Sequence, residues 1–196
     1  MKRLMATVAL GLSMTVGGVA VAQEDKITKG FYSYDAMGCM LLKECTDGVE
    51  KIKTTDVHLA DEKYFPVGHR GVYHTVSNHF YLNKTYVHRP HVLMSVVRHE
   101  GWHAAQDCMA GTIKNNLIAI IHNEEDVPKY WAEIATSTYR SMPHAIPWEK
   151  EAFWAGHTEG MTQAALESCA RGKMWEKYSP TPMTKEWLVE NGYINP

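Results

Sequence analysis

Apolar and polar residues alternate most clearly in the middle of the chain. The segments GVYHTV (71–76) and HFYLN (79–83) are rich in β-branched and aromatic residues, and the turn pair Ser77-Asn78 separates them. This pattern predicts a small sheet containing a hairpin. The next residues, KTYVH (84–88), either extend the second strand or lead into a helix.

Helical spacing of apolar residues dominates the rest of the chain. The main predicted helix opens at Arg89-Pro90-His91, where proline is tolerated, and ends at Gly111. Its predicted inward stripe consists of Val92, Leu93, Val96, Val97, Glu100, Ala104 and Cys108. Further helices are predicted at 34–45, from Asp126 through Tyr139, at 148–171 with bends at Gly156 and Gly160, and at 184–191 with Thr184 as cap. A small sheet followed by helices predicts an α+β fold.

The first residues have the form of a secretory signal peptide. A basic start at residues 1–3 precedes an apolar run from Leu4 to Val21, and Ala20-Val21-Ala22 has the small-x-small pattern of a cleavage site. We expect residues 1–22 to be removed, leaving residues 23–196 as a single domain that is secreted or periplasmic. No later stretch is long and apolar enough to span a bilayer, so no stable membrane insertion is expected after cleavage.

Charge and cysteine content narrow the functional classes. The formal net charge is −2, so the composition provides no basic surface for nucleic acid, and no nucleic-acid partner is expected. An even number of cysteines in an exported chain favours two disulfides. Three pairings remain open among Cys39, Cys45, Cys108 and Cys169.

The strongest chemical signal lies in RHEGWHAAQDC (98–108). On a helix, the i, i+4 spacing brings His99 and His103 to one face, where both imidazoles can reach one ion. Val96 and Val97 surround them, and burying two imidazoles with the Glu100 carboxylate is costly without a partner. These residues therefore predict a zinc site, Zn²⁺ being the expected cofactor. The alternative is a pair of surface histidines beside a solvated glutamate.

A catalytic zinc needs a third protein ligand, and WEKEAFWAGH (148–157) supplies Glu149 and Glu151. HExxH followed by ExEA resembles the gluzincin branch of zinc metallopeptidases. The resemblance implies a zincin-like fold and a glutamate ligand, which is Glu149 in an ExxA pattern with Ala152 as the small residue, or Glu151 in other members. Residues two apart on a helix project roughly 200° apart, so only one can face the metal. Glu149 is preferred. Phe153 replaces the aspartate that often follows this pattern.

The resemblance also implies an activity. Zinc would carry a water molecule, Glu100 would act as general base, and a peptide or protein substrate would pair with an edge strand drawn from residues 79–83. One alternative is a non-catalytic secreted protein with a structural zinc and disulfides, which a fourth ligand from His122, His144 or His157 would favour. Another is a hydrolase that acts on a different bond.

Several further residues have two interpretations each. Tyr130, Tyr139, His122 and His144 are available as oxyanion donors, although ordinary surface or core roles are favoured for each. Asp107 either orients His103 or is a solvated residue near the helix end. A histidine-rich stretch forms either an accessory metal site or, as we prefer, scattered exposed residues. It comprises His69, His74, His79, His88 and His91.

Overall fold

The computed structural model describes residues 25–26, 56–111, 117–180 and 182–192. Its strands are β1 (Asp25–Lys26), β2 (Asp56–Ala60), β3 (Gly71–His74) and β4 (His79–Asn83). Its α-helices are α1 (Pro90–Met109), α2 (Lys129–Thr138), α3 (Ile146–Gly156), α4 (Met161–Ala170), α5 (Met174–Lys177) and α6 (Lys185–Glu190). The predicted signal peptide, the predicted helix at 34–45, Cys39 and Cys45 lie outside the described residues. A small sheet beside several helices confirms the α+β class.

The sheet has the strand order β1-β2-β4-β3, and the long-range pairing in it was not predicted. β2 runs parallel to β4, whereas β3 is antiparallel to β4 and β1 is antiparallel to β2. The expectation that residues 79–83 form an edge strand is wrong, because β4 lies between β2 and β3. Within the described part of the chain, β3 is the edge strand next to α1.

Local signals located the hairpin and its exit correctly. The turn after β3 places Asn78 at φ 56°, a left-handed conformation that asparagine tolerates better than most residues. The first strand ends at His74 rather than at residue 76. Residues Lys84–Tyr86 form a short 3₁₀ helix, so this segment leads into α1 instead of extending β4.

The central element of the fold is α1. Its bounds match the prediction closely, with proline in its first turn and Gly111 at φ 95° just beyond its end. Burial is not confined to the predicted stripe. Trp102, Ala105 and Met109 on the other faces have no exposed surface, because β3, β4, α3 and α4 pack around the helix. The helix therefore carries the site residues inside the protein rather than on a surface face.

Two glycines allow the helices that flank α1 to approach it closely. A Cβ added to Gly101 would lie 2.9 Å from Thr162 Cγ2 of α4, and one added to Gly156 would lie 2.9 Å from the Ser95 carbonyl oxygen. The predicted helix at 148–171 is two helices in the structure, not one bent helix. The chain reverses just before α4, where Gly160 has a φ of 73°.

A disulfide joins the last turn of α1 to the end of α4. It links Cys108 to Cys169 across 61 residues of sequence. Of the three pairings left open by the sequence, this is the one that contains the observed bond. At the C-terminus, Thr184 caps α6 as predicted by accepting a hydrogen bond from the Trp187 backbone N–H. Among the described helices, none combines the length and the apolar character needed to cross a membrane.

Candidate metal centre

Two helices bring three potential ligands together. His99 and His103 point from adjacent turns of α1 towards Glu149 in the first turn of α3. His99 Nε2 lies 3.2 Å from Glu149 Oε2, and His103 Nε2 lies 3.6 Å from Glu149 Oε1. One ligand atom of each residue falls within 4.8 Å of the others. This spacing lets all three coordinate a single cation, and it fits the nitrogen and oxygen donors that zinc accepts.

The burial and charge of Glu149 fit such an ion. Its side chain is 3% exposed, and Oε2 has no partner in hydrogen-bond geometry although the His99 ring is close. Burial alone would raise the pKa of this carboxyl, but His103 and His99 outweigh it and hold that pKa well below its usual range. Burial likewise opposes the charged form of His103, yet Glu149 raises the pKa of His103 to about 9. The buried carboxylate is therefore stabilised by the positive charge of protonated His103, which a bound divalent ion could supply in its place.

Glu151 faces the opposite side of α3 and does not approach the histidines. Its carboxylate accepts hydrogen bonds from Trp102 Nε1 at 3.1 Å and Gln106 Nε2 at 2.7 Å. It also accepts the backbone N–H groups of Ile121 at 3.0 Å and His122 at 2.6 Å. Burial raises the pKa of Glu151 to about 7 in spite of these donors. The alternative ligand Glu151 is thus a buried anchor between α1, α3 and the segment at 121–122.

Glu100 lies beside the cluster and is fixed by the edge strand. Its Oε2 accepts a hydrogen bond of 2.9 Å from the backbone N–H of Tyr73 in β3. The strand can approach this closely because residue 71 is glycine. A Cβ at Gly71 would lie 2.6 Å from Val96 Cγ1 and 2.8 Å from Glu100 Cγ. Glu100 is not part of the converging ligand group.

Asp107 fits neither of its predicted roles. It is fully buried rather than solvated, and its Oδ2 accepts a hydrogen bond of 2.7 Å from the Tyr73 hydroxyl rather than contacting His103. Burial raises the pKa of Asp107 to about 8, although the bond from Tyr73 acts in the opposite direction. Both the main chain and the side chain of Tyr73 therefore bind acidic residues of α1, which holds β3 against the helix.

The raised pKa of Asp107 predicts how stability depends on pH. Between the unfolded pKa near 4 and the folded value of about 8, the native state binds more protons than the unfolded state. This residue therefore destabilises the fold as pH rises through that window, by at most about 1.4 kcal/mol per pH unit. Urea unfolding at pH 5 and pH 8 should show wild type losing stability relative to Asp107→Asn as pH rises. Parallel pH profiles for the two proteins would contradict the assignment.

Among the four candidate oxyanion donors, Tyr139 is the one close to the cluster. Burial, followed by the charges of Glu149 and Glu100, raises the pKa of Tyr139 strongly. Tyr130 and His144 are exposed. His122 stacks on Trp102 with ring centroids 5.7 Å apart.

A fourth protein ligand is not found in the described part of the chain. His122, His144 and His157 do not belong to the group of converging ligand atoms. His157 instead stacks on Trp131, with ring centroids 4.2 Å apart, and its Nδ1 bonds the carbonyl oxygen of Phe153. Three protein ligands are the number expected of a zinc ion that keeps a position for water.

The histidine-rich stretch splits between the sheet and the surface. His79 lies on β4, where its Nδ1 is 2.8 Å from the Tyr81 hydroxyl, and its ring is 4.9 Å from that of buried His58 on β2. His88 and His91 are exposed. His69, His74 and His79 are half-buried rather than exposed, and over the described ranges these histidines form no group of three converging ligand atoms.

Comparisons with protein-family models, with curated proteins and with solved structures gave no match. The interpretation of the site therefore rests on its own geometry and chemistry.

Two contacts of the predicted site residues were not expected from the sequence. Gln106 is fully buried, and its Oε1 lies 2.8 Å from His103 Nδ1, on the far side of the ring from Glu149. The only available signal was its position three residues after His103, which puts both side chains on one face of α1. Tyr73 was also missed, because nothing local to β3 shows that its backbone N–H meets Glu100.

Proposed function

We propose that this protein is an exported zinc-dependent peptidase with a zincin-like arrangement, in which His99, His103 and Glu149 bind the metal and Glu100 is the general base. The observation that supports it most is the convergence of three potential ligands beside Glu100, a second acidic residue that is not part of the ligand group. A purely structural ion does not require Glu100 at this place, whereas hydrolysis does. The disulfide between Cys108 and Cys169 is compatible with an extracellular location.

The chain's own residues supply the remaining parts of the reaction. Zinc, when bound, lowers the pKa of a coordinated water and polarises a carbonyl group. Glu100 accepts the proton of the attacking water and transfers it to the leaving amine, with its carboxylate kept in position by the Tyr73 N–H. Tyr139, whose pKa is raised in part by the charges of Glu149 and Glu100, is the candidate to donate a hydrogen bond to an oxyanion.

The edge of the sheet supports a peptide as substrate. β3 lies against α1 at Glu100, and its far side has no paired strand among the described residues. An extended peptide can add to the part of this edge outside Tyr73, whose backbone N–H is already bound to the Glu100 carboxylate, and it would then lie beside the general base. This surface replaces residues 79–83, the edge expected from sequence.

A structural metal site is the second candidate, and the burial of the ligands favours it. Glu149 is 3% and His99 is 15% exposed at the side chain, so little of the cluster faces solvent. A catalytic site depends on Glu100 and a structural site does not, because loss of Glu100 removes proton transfer without removing a metal ligand.

The experiment is cleavage of a peptide library by the zinc-loaded mature chain, with products identified by mass spectrometry. We expect Glu100→Gln to lower the cleavage rate by about 10²- to 10⁴-fold while zinc content stays near one per chain. Glu190→Gln, at an exposed position on α6, is the control that changes charge by the same amount. Wild-type protein that binds zinc but cleaves no peptide would support the structural site, and cleavage of ester substrates alone would indicate another hydrolase.

A further inference from the structure

Two buried polar residues behind His103 have no part in the proposed reaction. Gln106 on α1 and Glu151 on α3 have at most 1% of their surface exposed. Burying an amide and a carboxyl is costly unless both are fully hydrogen-bonded. Their partners show what the two residues do.

The first contact determines which nitrogen of His103 carries hydrogen. The Gln106 side-chain oxygen, 2.8 Å from His103 Nδ1, can only accept a hydrogen bond. Nδ1 must therefore be the donor, and Nε2, which faces Glu149, is the nitrogen available to a metal. The hydrogen bond that Nδ1 donates to Gln106 also fixes the orientation of the His103 ring.

The orientation of the Gln106 amide is itself imposed by its surroundings. Its Nε2 donates to Glu151 Oε2 at 2.7 Å and to the Trp148 carbonyl oxygen at 3.2 Å. A flipped amide would set an oxygen against both acceptors and present an NH₂ group to His103 Nδ1. The two acceptors thus exclude the orientation that would favour the wrong nitrogen of the histidine.

Glu151 is held in turn by donors that are part of the fold. Trp102 Nε1 of α1 and the backbone N–H groups of Ile121 and His122 all bind its carboxylate. Glu151 also sits two residues from Glu149 on α3, so the same helix supplies a ligand to one side of the His103 ring and the anchor of Gln106 to the other.

We propose that Gln106 and Glu151 form a positioning pair that orients His103 for metal binding. This inference rests on the proposed metal site, but it does not depend on which reaction the site performs. Polar partners of a metal-binding histidine contribute about 10- to 100-fold to metal affinity in other proteins. Glu151 would thus act through Gln106, although it is not a ligand itself.

The test is zinc affinity measured by competition with a chromophoric chelator, together with the visible absorption of the Co²⁺-substituted protein. Gln106→Met keeps the side-chain length and removes both polar atoms. We expect zinc to bind this variant about 10- to 100-fold more weakly and the Co²⁺ bands to shift. The matched control is Gln163→Met on α4, which removes a glutamine paired with Glu167 and should match wild type in both measurements.

To test whether Glu151 acts through Gln106, zinc affinity is measured for Glu151→Gln in the wild-type protein and in Gln106→Met. The substitution should weaken zinc binding in the wild-type background and have no further effect in Gln106→Met, because coupled residues are not additive. If the Glu151 variants do not fold, Gln106→Met alone still tests whether the contact with Gln106 supports zinc binding by His103.

Two outcomes would contradict the proposal that Gln106 and Glu151 orient His103. One is that Gln106→Met only lowers the unfolding midpoint and leaves zinc affinity and the Co²⁺ spectrum unchanged. The other is equal effects of Glu151→Gln in both backgrounds. A wild-type protein that binds no zinc would instead refute the proposed metal site itself, and the positioning pair with it.

Discussion

Glu149→Gln should lose stoichiometric zinc, whereas Glu151→Gln should retain about one zinc per chain at saturating metal. The reason is that the Glu149 carboxylate faces both imidazole Nε2 atoms, while Glu151 is bound to Trp102 and Gln106 on the other side of α3. Losing a ligand must cost more than losing a residue that supports one, so the affinity should fall by more than about 100-fold. Elemental analysis and chelator competition on the folded variants measure this.

The two glutamate variants control for each other, because each removes one charge from the same helix. His103→Ala should match Glu149→Gln in its loss of zinc. Zinc retained by Glu149→Gln and lost by Glu151→Gln would reverse the assignment. Zinc retained by all three variants would show that the metal binds elsewhere.

Removal of the Cys108–Cys169 disulfide should lower the free energy of unfolding by about 4 kcal/mol, since the bond closes a loop across 61 residues. Cys108→Ala combined with Cys169→Ala leaves no unpaired thiol from this bond. Denaturant unfolding in oxidising buffer measures the change. Zinc affinity should stay near that of wild type where the variant remains folded, because no ligand is removed.

A decrease in the free energy of unfolding of less than about 1 kcal/mol would contradict this prediction. Such a value would mean that residual contacts between the segments of α1 and α4 already restrict this loop in the unfolded chain. A large loss of zinc affinity in folded protein would instead show that the disulfide adjusts the position of His103.

Glu100 and the strand that binds it differ in how far local sequence determines them. Glu100 was assigned from the HExxH pattern, and α1 was placed within one or two residues because proline and glycine mark its ends. Residues 79–83 were expected to form the edge strand, and this expectation was wrong, because the edge strand beside Glu100 is β3. β4 has the stronger apolar pattern, but that pattern reflects burial between β2 and β3 and not a position at the edge.

For the two glutamates of α3, the sequence again defined the alternatives and the tertiary structure selected between them. Helix geometry alone required that only one of Glu149 and Glu151 face the histidines. Which one does so depends on the rotation of α3 against α1. That rotation follows from contacts tens of residues apart, such as the Glu151 bonds to Ile121 and His122.

By itself, the sequence determined what depends on neighbours within one or two helical turns: the helix that carries His99 and His103, the turn at Asn78 and the cap at Thr184. The tertiary structure decided that Glu149 rather than Glu151 faces the histidines, which strand lies at the edge, the pairing of Cys108 with Cys169, and the contacts of Gln106 and Asp107. These features depend on which buried surfaces meet. Packing and the hydrogen bonds of buried polar groups select that arrangement, and neither is encoded in the spacing of a single segment.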